Sequence, residues 1–494
     1  MSAASAPAQP VFNAGTRASA GETPAEIDAS APATAGLLLL FVCAAGWIAL
    51  GSALSLIASI KFHSASFLAD LPWLTYGRVH PASLNAILYG FAVPAGSGVA
   101  LWLSCRLGRT KLAWPGLVVL ASLFWNLGVA IGLVAILAGD GTGLEWLEMP
   151  RYASPILFTA YALLGVSGLA TFHRKQEREL FPSQWFIVAA AFWFPWIYST
   201  ANLLLVFTPV RGVAQAAVNW WYVNNLATIW LGFIGLATIF YLLPKITARP
   251  LHSRYLAMFS FWTLALFGSW IGVPSGAPLP AWMPAVSTAC AVLTAIPVLA
   301  VAVNCRKTMA GNYSKLKTDV ALRFIIFGAV AWVVAGLATA AQALPAVSTV
   351  VQFTWFTAAQ TQLALIGFFA MTMFGAIYHI VPRLVPSASL CRKMIRLHFW
   401  CATFGTVFLV IPLAAAGIRE GLALGNADIT FMQAVKLTLP FLRFSTFGEL
   451  LITIGNVTLV LNLVGLAASC CRAWLAPKLA AARAEQPSRL EVAT

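Results

Sequence analysis

Histidine, cysteine and carboxylate side chains hold metals and move protons inside proteins, and this chain carries few of them within its apolar stretches. The six histidines (His63, His80, His173, His252, His379 and His398) stand far apart, and the eight cysteines show no CxxC pair and no CxxCH that would attach a c-type heme covalently. Glu449 is the clearest acid inside an apolar run. It follows Arg443 closely, so it is either a functional carboxylate or half of a local ion pair. Two amides, Gln360 and Gln362, stand one residue apart in the apolar stretch Phe353 to Pro382. A buried amide costs free energy unless it is paired, so these two imply either hydrogen bonding between helices or a shared polar site.

The elements around these residues are membrane helices. Of 494 residues 60% are hydrophobic and only 9% charged, and the mean hydropathy is +0.83, far from the globular range. Crossing a hydrocarbon core of about 30 Å takes roughly 20 apolar residues. Twelve segments qualify: 35–60, 82–105, 112–138, 153–172, 184–208, 217–243, 254–274, 282–303, 320–343, 353–382, 397–418 and 441–471. The net charge of +15 sits in short clusters between these runs, which excludes a nucleic-acid partner and follows a positive-inside pattern. The clusters place 23 of the 30 basic residues on the side of both termini, so both termini are expected in the cytoplasm. Residues 1–34, rich in Ala, Ser, Pro and Thr, read as a disordered tail without a signal peptide, and 472–494 as a second cytoplasmic tail. Cys470 and Cys471 beside Arg472 are candidates for acylation. No P-loop, dinucleotide-binding glycine pattern, zinc motif or GxSxG is present, and the loops are too short for a soluble domain.

Four stretches carry a likeness. Thr75-Tyr-Gly-Arg-Val-His-Pro-Ala-Ser-Leu-Asn-Ala86 opens the second segment, and Trp220-Trp-Tyr-Val-Asn-Asn225 the sixth, which ends in Tyr241-Leu-Leu-Pro-Lys245. The seventh holds Phe261-Trp262 and Trp270-Ile-Gly272, with Leu279-Pro-Ala-Trp282 after it. The tenth ends in Tyr378-His-Ile-Val-Pro-Arg383, and the eleventh begins Leu397-His-Phe-Trp400. In order, spacing and number of helices the chain resembles subunit I of the heme-copper oxidases, most closely the cbb-type cytochrome c oxidases, over nearly its whole length. The resemblance implies an all-α, twelve-helix membrane fold in the inner (plasma) membrane of a bacterial-type cell. It also implies partners among respiratory membrane subunits and c-type cytochromes.

That family holds a low-spin heme between two histidines and faces a high-spin heme with a copper ion on three, in the outer half of the membrane. Carried over residue by residue, the match changes every ligand. The second helix of the family reads R-x-R-P-x-H-x-N-A, and here Arg78-Val-His-Pro-Ala-Ser-Leu-Asn-Ala86 puts Ser83 at the low-spin ligand and His80 at an arginine. W-W-Y-G-H-N becomes W-W-Y-V-N-N, placing Asn224 at a copper ligand. Y-I-W-A-G-P-H-H becomes Gly268-Ser-Trp-Ile-Gly-Val-Pro-Ser275, so Pro274 and Ser275 stand at the other two and Gly268 at the cross-linked tyrosine. H-x-H becomes Gln360-Thr361-Gln362, one position for each heme. Ser, Asn and Gln are weak donors for heme iron and proline has none, so no heme, no copper and no catalytic residue are expected. His80 is the only nearby substitute ligand, for a heme b; otherwise it is an interfacial histidine, pairing with Asp70. Arg78 and Arg443 match family arginines near the heme propionates. They either form a basic rim or simply snorkel.

Losing two hemes leaves voids of several hundred Å³ apiece unless helices close in or bulky residues fill them. Trp220, Trp221, Tyr222, Trp270, Trp355 and Phe356 are the expected filling. Ser83, Asn224, Gln360 and Gln362 are expected to bond across the second, sixth and tenth helices. Three functions are compatible with this pattern: a cofactor-free homologue with a structural, assembly or regulatory role in a respiratory complex; an oxygen or nitric oxide reductase with other ligands; or a binder or carrier of a small molecule or quinone. The scarcity of buried charge argues against ion or proton transport.

Overall fold

A computed structural model describes residues 34–385 and 390–484, with side chains up to residue 466. The expected N-terminal tail and the Cys470–Cys471 pair fall outside these limits. Apolar content at helical length yields α1 (Thr34–Lys61), α2 (Tyr76–Gly108), α3 (Pro115–Ala138), α4 (Ser154–His173), α5 (Pro182–Phe207) and α6 (Val213–Thr247). After α7 (Arg254–Gly268) come α8 (Trp282–Met309), α9 (Val320–Gln342), α10 (Trp355–Leu384), α11 (Arg392–Leu424) and α12 (Phe431–Ala484). Short loops make successive helices alternate in direction, so α1 ends and α2 begins at one face, the Arg78 face. The backbone of α12 runs on into the expected C-terminal tail.

Eleven of these twelve are long enough to span a bilayer. The exception is α7. Its expected span 254–274 stops at Gly268, because Gly272 turns the chain at φ +107° and Pro274, Pro278 and Pro280 keep the next residues out of a helix. A Cβ on Gly272 would stand 2.7 Å from that of Asn224, so α6 and this loop meet where only glycine fits.

Three helices form the centre: the apolar windows of α2, α6 and α10 are 94, 83 and 94% buried, whereas those of the surrounding spans are 33–50% buried. Each central helix widens into π-type turns, at Ala86–Ala92, Asn225–Leu231 and Leu363–Ala370. These stretches begin just past Ser83, Asn224 and Gln362, so the expected ligand positions sit on the last ordinary turn before each widening. Outer helices present Leu123, Leu127 and Val134 to the surroundings, as lipid contact requires. Small residues bring α11 and α12 into backbone contact. A Cβ on Gly405 would meet the Gly448 carbonyl at 3.0 Å, and one on Gly448 would meet the Gly405 carbonyl at 2.7 Å.

Candidate functional site

A cavity of about 410 Å³ lies between α6, the loop after α7, α8, α9 and α10. Asn224, Pro274, Ser275 and Gln360 all line it, so the fold gathers the three residues matched to copper ligands and one of the two glutamines matched to heme ligands. Ser83, matched to the low-spin heme, and Gln362, the other glutamine of the pair, do not line it and are buried in helix packing.

The donor chemistry decides what the cavity can hold. Asn224 is already engaged: its Nδ2 donates to the Gly268 carbonyl at 2.9 Å, and its Oδ1 accepts from Thr228 at 3.1 Å. Ser275 shares a hydrogen bond with Ser348 at 3.1 Å, and Ser348 donates to Gln352 at 2.8 Å. Pro274 has nothing to offer. Gln360 Nε2 is buried with no hydrogen-bond partner, but an amide nitrogen is a donor and not a metal ligand. Among the described residues no three His, Cys, Asp or Glu side chains come together. These residues do not fit a heme iron or a copper ion.

Of the four expected cross-helix bonds only that of Asn224 forms, and it reaches α7. Ser83 Oγ turns back to the His80 carbonyl of its own helix at 2.7 Å. His80 stacks on Tyr76, with ring centroids 5.2 Å apart and planes 12° apart, rather than pairing with Asp70. Tyr76 packs on Phe62 and Phe62 on Trp355, so an aromatic stack ties together the ends of α1, α2 and α10. Trp220 lines the cavity and Tyr222 is fully buried, but Trp270 is 56% exposed. The interior is filled as well by aromatics that were not expected there, including Trp125, Tyr161, Phe194 and Trp230, where Tyr161 and Phe194 stack at 4.2 Å. An even scatter of aromatic residues over the sequence hides which of them turn inward.

The two arginines of the expected rim diverge from the cavity. Arg78 Nη1 donates to the Leu137 carbonyl at 3.3 Å, in a space kept open by Gly139, and Arg443 is exposed. Glu449 accepts from Ser55 of α1 at 2.9 Å, not from Arg443. His398, at the start of the expected eleventh segment, is wholly buried and bonded to Tyr378 at 2.8 Å.

Sequence reading passed over Glu145 and Glu148, which lie in the loop between α3 and α4. Glu145 and Trp146 line the cavity. Glu148 is 7% exposed and accepts from Asn85 Nδ2 at 2.7 Å, while Tyr89 donates to the Trp146 carbonyl at 2.6 Å and bonds Tyr222. Burial raises the Glu145 carboxyl, and burial pushes Glu148 up to about 7 against the lowering effect of the Asn85 amide. The ExxE spacing around Trp146 in so acid-poor a chain was the available signal.

The family model for cytochrome c and quinol oxidase polypeptide I matches residues 36–451. The chain belongs to this family. Among curated relatives of this oxidase subunit I homologue, the cytochrome c oxidase subunit 1 homolog of Azorhizobium caulinodans is 26% identical over 87% of this chain and 81% of its own. The cbb3-type cytochrome c oxidase subunit CcoN1 of Stutzerimonas stutzeri is 23% identical over 84% of this chain and 91% of its own. The structure of a heme-copper terminal oxidase dimer superposes with a TM-score of 0.68 over 88% of this chain and 84% of that one, at 12% identity. The fold is therefore that of heme-copper oxidase subunit I, in an integral membrane protein.

Proposed function

We propose that this subunit I homologue is cofactor-free and serves a structural, assembly or regulatory role in a respiratory membrane complex. The observation that carries this reading is the donor set of the cavity: Asn224, Pro274, Ser275 and Gln360 stand where the resemblance matches metal ligands, and none suits iron or copper. The proposed setting is a bacterial-type inner membrane with both termini cytoplasmic, beside other oxidase subunits and c-type cytochromes. Relatives named as oxidase subunits support the partnership, and the clustering of basic residues supports the orientation. A working oxygen or nitric oxide reductase would need iron ligands that this cavity does not offer. Absorption spectra and metal analysis of the purified protein test the proposal: no Soret band and no copper are expected, and stoichiometric heme would overturn it.

One observation favours a second role for the same cavity. Gln360 Nε2 is an unpartnered buried donor beside a space the size of an ordinary ligand pocket, walled by Trp220, Trp332 and Phe368. An uncharged, largely apolar molecule with a carbonyl or other acceptor satisfies both features. Native mass spectrometry of the protein purified in mild detergent tests this, with a bound neutral species lost in Gln360→Leu as the expected result.

A further inference from the structure

The three central helices end at the face opposite Arg78 with the same arrangement, a ring followed one turn later by a cation. The pairs are Trp102 and Arg106 on α2, Tyr241 and Lys245 on α6, and His379 and Arg383 on α10. Residues four apart share a helix face, so packing the rings together also brings the cations together one turn beyond them. The rings do pack. Trp102 meets Tyr241 edge-on with centroids 5.8 Å apart, and His379 with centroids 6.2 Å apart. The Arg106 guanidinium lies over the Trp102 ring at 5.2 Å, and Arg383 Nη1 donates to the His379 carbonyl. The charges of Arg383, Lys245 and Arg106 all act on the His379 ring. Exposure falls along the group, from Lys245 at the surface through the half-buried Arg106 and Arg383 to His379 and Trp102, 7% and 1% exposed. Each of the two floor residues carries a buried polar atom with no hydrogen-bond partner, Trp102 Nε1 and His379 Nε2.

We propose that this funnel is a binding site for a phosphate-bearing anion. A cation in the last turn of a helix complements the helix dipole, and a positive-inside pattern puts cations at this face, so each cation taken singly is accounted for. Neither effect accounts for three of them over one buried imidazole. The carboxylates described at this face bond other groups: Glu177 pairs with Arg109 at 3.4 Å, Glu179 with Arg254 at 3.3 Å, and Asp319 accepts from the Leu322 N–H at 2.9 Å. An indole N–H is a donor only, and an imidazole with its proton on Nε2 is another, so the open atoms of the floor call for an acceptor. Positive charge at the mouth and open donors at the floor select the same ligand, an anion with acceptor oxygens.

Phosphate suits the group better than a carboxylate does. It brings a charge of about −2 and at least three acceptor oxygens, enough to engage two guanidinium forks and an ammonium and still turn an oxygen to the floor. A carboxylate has one charge and two oxygens for the same donors. Two sources supply a phosphate group at a membrane surface. Basic pockets between membrane helices take lipid headgroups, whereas a site at the ends of the three most buried helices opens to the aqueous phase. In the proposed orientation that phase is the cytoplasm. The inference does not depend on the cavity between α6 and α10 or on what it holds, because Asn224 and Gln360 lie near the opposite ends of those helices.

The test uses the full chain purified in dodecyl maltoside without phosphate, and two probes. The first is inorganic phosphate at constant ionic strength. For an aqueous source, equilibrium dialysis should find one phosphate per chain, and the melting temperature should rise with phosphate but not with equivalent chloride. The second is a mixed micelle of phosphatidylcholine and phosphatidylglycerol (3:1), followed by washing. For a lipid source, phosphorus analysis of the organic extract should find one phosphatidylglycerol retained per chain. In either case the double variant Arg106→Gln, Lys245→Gln should weaken binding at least tenfold. Lys307→Gln, which removes an exposed cation from the same face at the end of α8, should leave it unchanged. Binding of neither probe, or binding that the folded double variant retains, would overturn the proposal. If the double variant fails to fold, Lys245→Gln alone, at an exposed position, takes its place: a loss of at least threefold is expected, and no loss refutes the site.

Discussion

Glu148 is a carboxyl held inside the bundle by the Asn85 amide and by the backbone N–H groups of Trp146 and Glu148. Its loop must fold inward to place Trp146 on the cavity and its carbonyl under Tyr89, and that path carries Glu148 to within 2.7 Å of Asn85 Nδ2. Burial favours the neutral acid, so the folded-state value of about 7 lies above the ordinary 4.5. A group whose folded pKa is raised weakens the fold as pH rises: the difference is absent below about 4.5, grows between there and about 7, and is complete above, at roughly 3 kcal/mol. Unfolding of the purified protein in SDS titrations from pH 4 to pH 8 should show this loss, and Glu148→Gln, which still accepts from Asn85, should remove most of it. At this scale the sequence was informative where residue type limits chemistry. Gln360, Asn224 and Pro274 could be read as poor metal ligands without coordinates. The partners were not legible, because Ser83 bonding its own helix and Glu449 facing Ser55 rather than Arg443 depend on which way each helix is rotated.

Helices were legible in number and approximate length, since an apolar run long enough to span leaves the backbone no other way to bond itself. Their local departures were not. The π-type widening in α2, α6 and α10 has no residue signature, and α7 stops short because of glycines and prolines that in other spans are tolerated, such as Pro195 in α5 and Pro412 in α11. Close helix contacts were equally hidden, because an alanine and a glycine are alike in hydropathy. Gly421 shows how much such a contact matters. Its Cα faces the Val350 carbonyl so closely that a Cβ would overlap the oxygen, and Gly417, one turn earlier, stands in the same relation to the Phe356 backbone. Gly421→Ala should therefore destabilise the protein by about 1–3 kcal/mol, as overpacking does. Gly46→Ala, on an open face of α1 with nothing within 4 Å, should instead stabilise it by up to about 1 kcal/mol. Paired thermal unfolding measurements of the two variants separate steric contact from helix propensity.

Across the whole molecule the fold has kept one of two spaces. Ser83, matched to the low-spin heme, is packed in, whereas the residues matched to the copper ligands, together with Gln360, still surround about 410 Å³. Packing alone would favour closing both, because unfilled volume costs about 24 cal/mol per Å³. Retention of the second space is therefore the feature that a scaffold role leaves unexplained and a bound molecule explains. Ala364 lines the cavity on α10, one turn below Gln360. If the cavity is unfilled, Ala364→Leu should stabilise the protein by about 1–2 kcal/mol, because the added carbons occupy free space. If it holds a molecule that survives purification, the same substitution should lower the melting temperature and expel that molecule, with the effect vanishing after exhaustive detergent washing. Melting curves before and after washing, for the original chain and for Ala364→Leu, distinguish the two, and the ligand-dependent pattern is the one expected from the open donor on Gln360.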